Sequence, residues 1–252
     1  MTNKFPNKII SLFSGAGGMD IGFRDAGFDI SVAVEMDPSC CQTLKANCPN
    51  LKVIEGDLTQ ISTHEILNHA KLKPLEPALV IGGPPCQSFS LAGKRMGMND
   101  KRGQLILEFV RVVKDSLPIA FVMENVKGMA NWSKGKAIDA IKKEFEEPIS
   151  HNNQKYQYSV KHQVINGAMY GLSQQRERLF IVGNRLNKDF SFPKATHGNK
   201  NETNQINIFK DKIEPYNTVW DSIGDLPPAD PPSETAARVS QTIKGRIEKH
   251  GY

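Results

Sequence analysis

Short apolar, β-branched runs alternate with longer stretches of helical periodicity over the first 183 residues. The runs Lys8–Phe13, Ile30–Val34, Leu51–Ile54, Ala78–Ile81, Ile119–Met123, Tyr158–Ile165 and Leu179–Val182 have the length and composition of buried strands. Between them, Met19–Ala26, Pro38–Asn47, Ser62–His69, Gly103–Ser116 and Ser133–Glu146 read as helices. This alternation predicts an α/β fold built on a doubly wound, mostly parallel sheet. Right-handed crossovers then bring the carboxyl ends of the strands to one edge, where ligands bind in such sheets.

After Gly183 the pattern fades. Asn184–Glu214 is polar and reads as a surface connection, and Thr218–Ile223 as a short helix. Asp225–Pro232 is proline-rich and expected to be extended, and Ser233–Tyr252 is basic with helical character. The expected organisation is therefore a main domain over residues 1–183 and an appendage over 184–252.

The chain of 252 residues carries 32 basic and 27 acidic side chains, a net charge of +5. That excess permits an anionic partner without requiring one. No apolar run approaches the roughly 20 residues that span a bilayer, and the N-terminus lacks a signal-peptide core, so a cytoplasmic protein with no membrane partner is expected. The four cysteines, Cys40, Cys41, Cys48 and Cys86, include no C-x-x-C pair, which argues against a zinc site or disulfide framework. Cys40, Cys41 and Cys48 fall in or just after a helical stretch and are expected to be buried and inert.

Three strand ends carry candidate ligand chemistry. The first runs into Phe13-Ser14-Gly15-Ala16-Gly17-Gly18, a turn that lets backbone approach a ligand but departs from the dinucleotide G-x-G-x-x-G pattern. The second ends at Glu35, 17 residues past Gly18, where a carboxylate can accept from ribose hydroxyls. The third reaches Asp57, placed to meet an adenine amino group. Together they predict an adenosine-containing cofactor. The fourth strand leads into Gly82-Gly83-Pro84-Pro85-Cys86, a tight path presenting a thiol at the sheet edge. The fifth ends in Glu124-Asn125-Val126, with a partly desolvated carboxylate. A nucleophile beside an acid forms a recognisable catalytic pair.

Taken together, these motifs resemble those of the cytosine-C5 DNA methyltransferases: the glycine turn, Pro84-Pro85-Cys86-Gln87-Ser88-Phe89-Ser90, Glu124-Asn125-Val126, and Gln174-Gln175-Arg176-Glu177-Arg178 before a strand. The resemblance covers residue 8 to about 183 and implies a Rossmann-like fold that uses S-adenosyl-L-methionine. It assigns Phe13, Ser14, Gly15, Gly17 and Gly18 to the cofactor turn, Glu35 to the ribose, and Met36, Asp57 and Leu58 to the adenine. Gly83, Pro85 and Leu105 complete that pocket. Cys86 is assigned as the nucleophile, with Glu124, Arg176 and Arg178 around the base. The implied partner is double-stranded DNA, with the target cytosine flipped out and Ser88–Arg102 closing over it. The resemblance also implies that 184–252 is a linker plus the beginning of an incomplete target-recognition region. A second polypeptide would then supply target recognition and a closing helix, in a split enzyme. A tRNA cytosine methyltransferase and a non-catalytic cofactor-binding subunit are the competing expectations.

Overall fold

The computed structural model describes residues 6–85, 104–131, 135–199 and 213–226, together with Glu234, Arg238, Gln241 and Thr242. The chain forms two compact units: Met1–Gly167 with Arg176–Lys194, and Ala168–Gln175 with Ala195–Tyr252.

The first unit is built on a seven-stranded sheet. Its strands are β1 (Lys8–Leu12), β2 (Asp29–Glu35), β3 (Lys52–Glu55), β4 (Leu79–Gly82), β5 (Ala120–Val126), β8 (Ser159–Asn166) and β9 (Glu177–Asn184), in the order β3-β2-β1-β4-β5-β9-β8. A hairpin of β6 (Ile149–His151) and β7 (Gln154–Tyr156) stands apart from it. The five strands β1–β5 are parallel, while β9 runs antiparallel to both β5 and β8. The sheet is therefore mostly parallel, as the pattern of apolar runs predicts.

The helices are α1 (Gly18–Asp25), α2 (Pro38–Asn47), α3 (Thr63–Ala70), α4 (Gln104–Ser116), α5 (Gly128–Asn131) and α6 (Lys136–Glu146). Local chemistry sets several of their starts. Asp37 caps α2 by accepting from the Cys40 N–H at 3.0 Å, and Pro38 fits the first helical position. Ser62 caps α3 through the Glu65 N–H at 3.1 Å.

The larger apolar cluster joins one sheet face to α3, α4, α5 and α6, with Phe121 stacked on Phe145 at a centroid distance of 4.0 Å. The other face has a smaller cluster, Ile9, Ile30 and Ile81, whose helical neighbours Met19 and Phe23 come from α1. Strand order reverses between β1 and β4: β2 and β3 extend the sheet one way from β1, and β4 and β5 the other. The carboxyl ends on either side of that point open the crevice where ligands sit in this class of sheet.

In the second unit, Val219–Ile223 forms the short helix expected near there. Thr218 and Asp221 make a reciprocal capping box at its start. His197–Gly198 pairs with Glu214–Pro215, so the polar connection is not wholly irregular. Among the described residues, no helix is long and apolar enough to cross a membrane.

Candidate functional site at the carboxyl edge of the sheet

The turn after β1 is shaped by backbone conformations that few side chains adopt. Gly15 and Gly17 have φ of 55° and 88°, and Phe13 itself sits at 51°. A non-glycine residue there is strained, and such strain persists where surrounding structure enforces it. At Gly17 a Cβ would also lie 2.8 Å from Leu44 Cδ2, so glycine is required twice over. At Gly15 and Gly18 a Cβ would meet nothing within 4 Å. The described residues therefore leave the space above the start of α1 open.

Glu35, at the end of β2, faces this turn. Its Oε2 accepts from the Gly15 N–H at 2.7 Å, and its Oε1 from the Met36 and Asp37 N–H groups at 2.9 Å each. The carboxylate thus fixes the glycine turn and its own strand end together, with one lone-pair site, on Oε2, left for a hydroxyl donor. Met36 is 63% exposed beside it, an apolar side chain held at the surface. Asp57 is exposed; its Oδ1 accepts from Thr59 N–H at 2.9 Å, capping the 3-10 turn Leu58–Gln60. Leu58 is buried in the core, so only its backbone is offered outward. An open cradle, a braced carboxylate, an exposed thioether and a capped aspartate fit an adenosyl group.

A second arrangement lies on β4 and β5. Their register sets Gly82 opposite Met123, which brings Gly83 alongside Glu124. A Cβ on Gly83 would lie 3.1 Å from Glu124 Oε2. Across the antiparallel junction with β9, the Arg178 Nε lies 2.8 Å from Glu124 Oε1. The two side chains are 22% and 27% exposed, partly withdrawn from water yet reachable. Lys127 and Glu177 form an ion pair at the same end of β5 and β9. Arg176 lies on an exposed segment before β9, where its N–H donates to Asn166 Oδ1 at 3.1 Å. Glu124 and Arg178 are thus brought together, while Arg176, two residues before Arg178, is tied through its backbone to Asn166 of β8.

Asn125 adds a residue that the sequence reading passed over. It is buried, its Nδ2 donates to the Pro84 carbonyl at 3.1 Å, and its Oδ1 accepts from the Val126 N–H at 2.8 Å. It therefore ties β5 to the Pro-Pro path two residues before Cys86. The signal for it was an amide close behind an apolar run, where a buried polar group needs a partner. Pro85 is exposed and Leu105 half-buried in the first turn of α4. Cys86 and the Ser88–Arg102 segment lie outside the described residues.

The other cysteines correct an expectation. Only Cys41 is buried; Cys40 and Cys48 are partly exposed. Burial raises the Cys40 and Cys41 thiols above their usual range, with the carboxylates of Asp37, Glu55 and Glu35 adding to it. Cys48 accepts from Arg24 Nη1 at 2.7 Å. Its position just past the end of α2 puts it at the surface, where helix periodicity no longer protects it.

Comparison with known proteins gives a consistent result. The family description C-5 cytosine-specific DNA methylase matches residues 7–249. The Type II methyltransferase M.AquIA of Picosynechococcus sp. is 63% identical over 245 residues, covering 97% of this chain and 99% of that protein. M1.HphI of Haemophilus parahaemolyticus is 39% identical, covering 86% of this chain but 52% of the relative. Among solved structures, a protein described as a DNA modification methyltransferase encoded within an E. coli prophage superposes with a TM-score of 0.66 at 28% identity. That match covers 88% of this chain and 56% of the other. The DNMT2 of Spodoptera frugiperda shares the fold, with a TM-score of 0.55 at 22% identity over 75% of this chain and 53% of its own.

Proposed function

Because the chain belongs to the C-5 cytosine-specific DNA methylase family, which uses S-adenosyl-L-methionine, we propose that it methylates C5 of cytosine in DNA through a covalent adduct with Cys86. When bound, the cofactor supplies an electrophilic methyl group. Glu35 would hold its ribose, Met36 its adenine face and Asp57 its amino group, with the glycine turn beneath it.

The remaining chemistry belongs to side chains of the chain. Cytosine C5 is a poor nucleophile until electron density is pushed into the ring. The Cys86 thiolate adds to C6, forming an S–C6 bond and giving C5 enamine character. Glu124 hydrogen-bonds N3 and the exocyclic amine, and Arg178 faces the O2 side, where negative charge develops. After C5 is alkylated, a base removes the C5 proton, the C5–C6 double bond re-forms and the thiolate leaves. The target base must leave the duplex to be reached in this way.

The observation that carries this reading is the Glu124–Arg178 ion pair beside Gly83, with Asn125 holding Pro84 two residues ahead of Cys86 in the sequence. The test is trapping on DNA containing 5-fluorocytosine, whose fluorine cannot depart as a proton does. Wild type is expected to form a stable protein–DNA adduct, and Cys86→Ser to form none while still binding cofactor. Normal methylation by Cys86→Ser would overturn the mechanism. A tRNA substrate in place of DNA is expected to give no product.

A specific feature favours a split enzyme. On the second sheet face, Leu79, Val122, Phe180, Val182, Phe190 and Phe192 line a cavity of about 520 Å³ that is almost wholly apolar. Sheets of parallel strands are normally covered on both faces, but among the described residues α1 alone supplies helical residues to the smaller cluster there. The relative matched along nearly its whole length, M.AquIA, contrasts with M1.HphI, of which about half is matched. We infer that a helix from a second polypeptide covers this face, and that this polypeptide also carries target recognition. Full methylation by the isolated chain would refute the split; activity only after adding the product of a neighbouring gene would support it.

A further inference from the structure

We propose that Arg111, on α4, is a positioning residue that sets the adenine side of the cofactor site. The inference rests on the reading of Asp57 and Leu58 given above. Arg111 Nη2 donates to the carbonyls of both Leu58 and Ile61 at 3.0 Å, and Nη1 donates to Thr63 Oγ1 at 2.8 Å. Its Nε is held by Glu108 Oε2 at 2.7 Å. Thr63, itself buried, donates to Asp115 Oδ2 at 2.7 Å. One guanidinium therefore grips both ends of the 3-10 turn that follows Asp57, and does so from a helix anchored in the main core.

The geometry suits arginine and no other side chain. Two carbonyls and a hydroxyl are met by a planar fork, whereas a lysine ammonium is a single point donor on a flexible stem. The same turn fixes Asp57: its Oδ1 is occupied by the Thr59 N–H, which leaves Oδ2 as the oxygen available to a ligand. Where the turn goes, Oδ2 goes. Leu105 lies six residues before Arg111 on the same helix, so α4 contributes one element of the proposed pocket and fastens another.

Arg185 provides the control. It also clamps backbone carbonyls, those of Leu75, Leu117 and Pro118, but these precede β4 and β5 and lie at the opposite edge of the sheet. The experiment is calorimetric binding of S-adenosylhomocysteine and of its hypoxanthine counterpart, in which the exocyclic amine is replaced by a carbonyl. Wild type is expected to prefer the adenine form by about tenfold, the worth of one hydrogen bond to a charged acceptor. Arg111→Ala and Arg111→Lys should weaken the adenine ligand by about that factor and leave the hypoxanthine ligand nearly unchanged, erasing the preference. Arg185→Ala should lower the melting temperature and retain the preference. Should Arg111→Ala not fold, Arg111→Lys supplies the measurement. Folded Arg111 variants that keep the wild-type preference would overturn the inference. A wild type with no preference would instead overturn the reading of Asp57 and this inference with it.

Discussion

Glu35 shows how one side chain serves both folding and ligand chemistry. Three backbone N–H groups converge on its two oxygens, so the turn is set before any ligand arrives. Glu35→Gln replaces one acceptor oxygen by a donor that faces an N–H. Cofactor affinity is expected to fall about tenfold or more, with about 1–3 kcal/mol of stability lost, measured by calorimetry and denaturant titration. Asp20 behaves differently. It lies 4% exposed in the first turn of α1, its Oδ1 accepts from Ser11 Oγ at 2.6 Å, and its Oδ2 has no partner among the described residues. Burial raises its pKa above the ordinary carboxylate value, against the lowering effects of Ser11 and Arg24. The folded state then holds a proton that the unfolded state has released, so stability falls as pH climbs through the window above 3.8. Asp20→Asn should be more stable than wild type at neutral pH, the difference shrinking as pH falls toward that value in thermal melts. Equal pH dependence in the two proteins would exclude this origin.

Strand-level constraints are sharper than helix-level ones here. Gly82 ends β4 where β1 approaches so closely that a Cβ would lie 2.3 Å from the Leu12 carbonyl oxygen. Gly82→Ala must separate the two central strands at their carboxyl ends, next to Gly83 and the Pro-Pro path. A loss of about 3 kcal/mol is expected, with methylation falling further than stability alone accounts for, since Glu124 rests against Gly83. The small hairpin of β6 and β7 was passed over in the sequence reading, yet its signal was present. Asn152 and Asn153 both adopt positive φ, 49° and 61°, the pair of left-handed residues that closes a two-residue hairpin. Asparagine tolerates that region better than most residues, but Asn-Asn is a weaker cue than Asn-Gly.

At the scale of the whole molecule, the two sheet faces differ in how they are covered. The face under α3, α4 and α6 is a continuous core, while the other exposes a nearly polar-free cavity over β4, β5 and β9. Its lining residues Leu79, Val122, Phe180, Val182, Phe190 and Phe192 are half-buried, and the second polypeptide proposed above would complete their burial. Val182→Glu places a charge on that face, at a strand position whose neighbours Leu179 and Ile181 point into the main core. It is expected to leave the isolated chain folded by circular dichroism while abolishing association with the proposed second polypeptide, and methylation with it. Association unchanged by Val182→Glu would move the interface elsewhere.

Apolar periodicity by itself determined the seven strands of the sheet and five of its helices, because burial demands a repeat of two in strands and about 3.6 in helices. It also placed Phe13–Gly18, Glu35 and Asp57 at or just past strand ends, where apolar runs stop; Glu124 follows the apolar run of its strand but lies inside β5, which stays paired to Val126. What no local pattern carries is which strands become neighbours. Only the tertiary structure decided that β9 lies antiparallel against β5, and that pairing alone sets Arg178, 54 residues further along, on the carboxylate of Glu124. The same holds for Asn125 reaching Pro84 and Arg111 reaching Leu58. Each is a hydrogen bond between distant segments, fixed by the stacking of elements and invisible to the propensities of either segment.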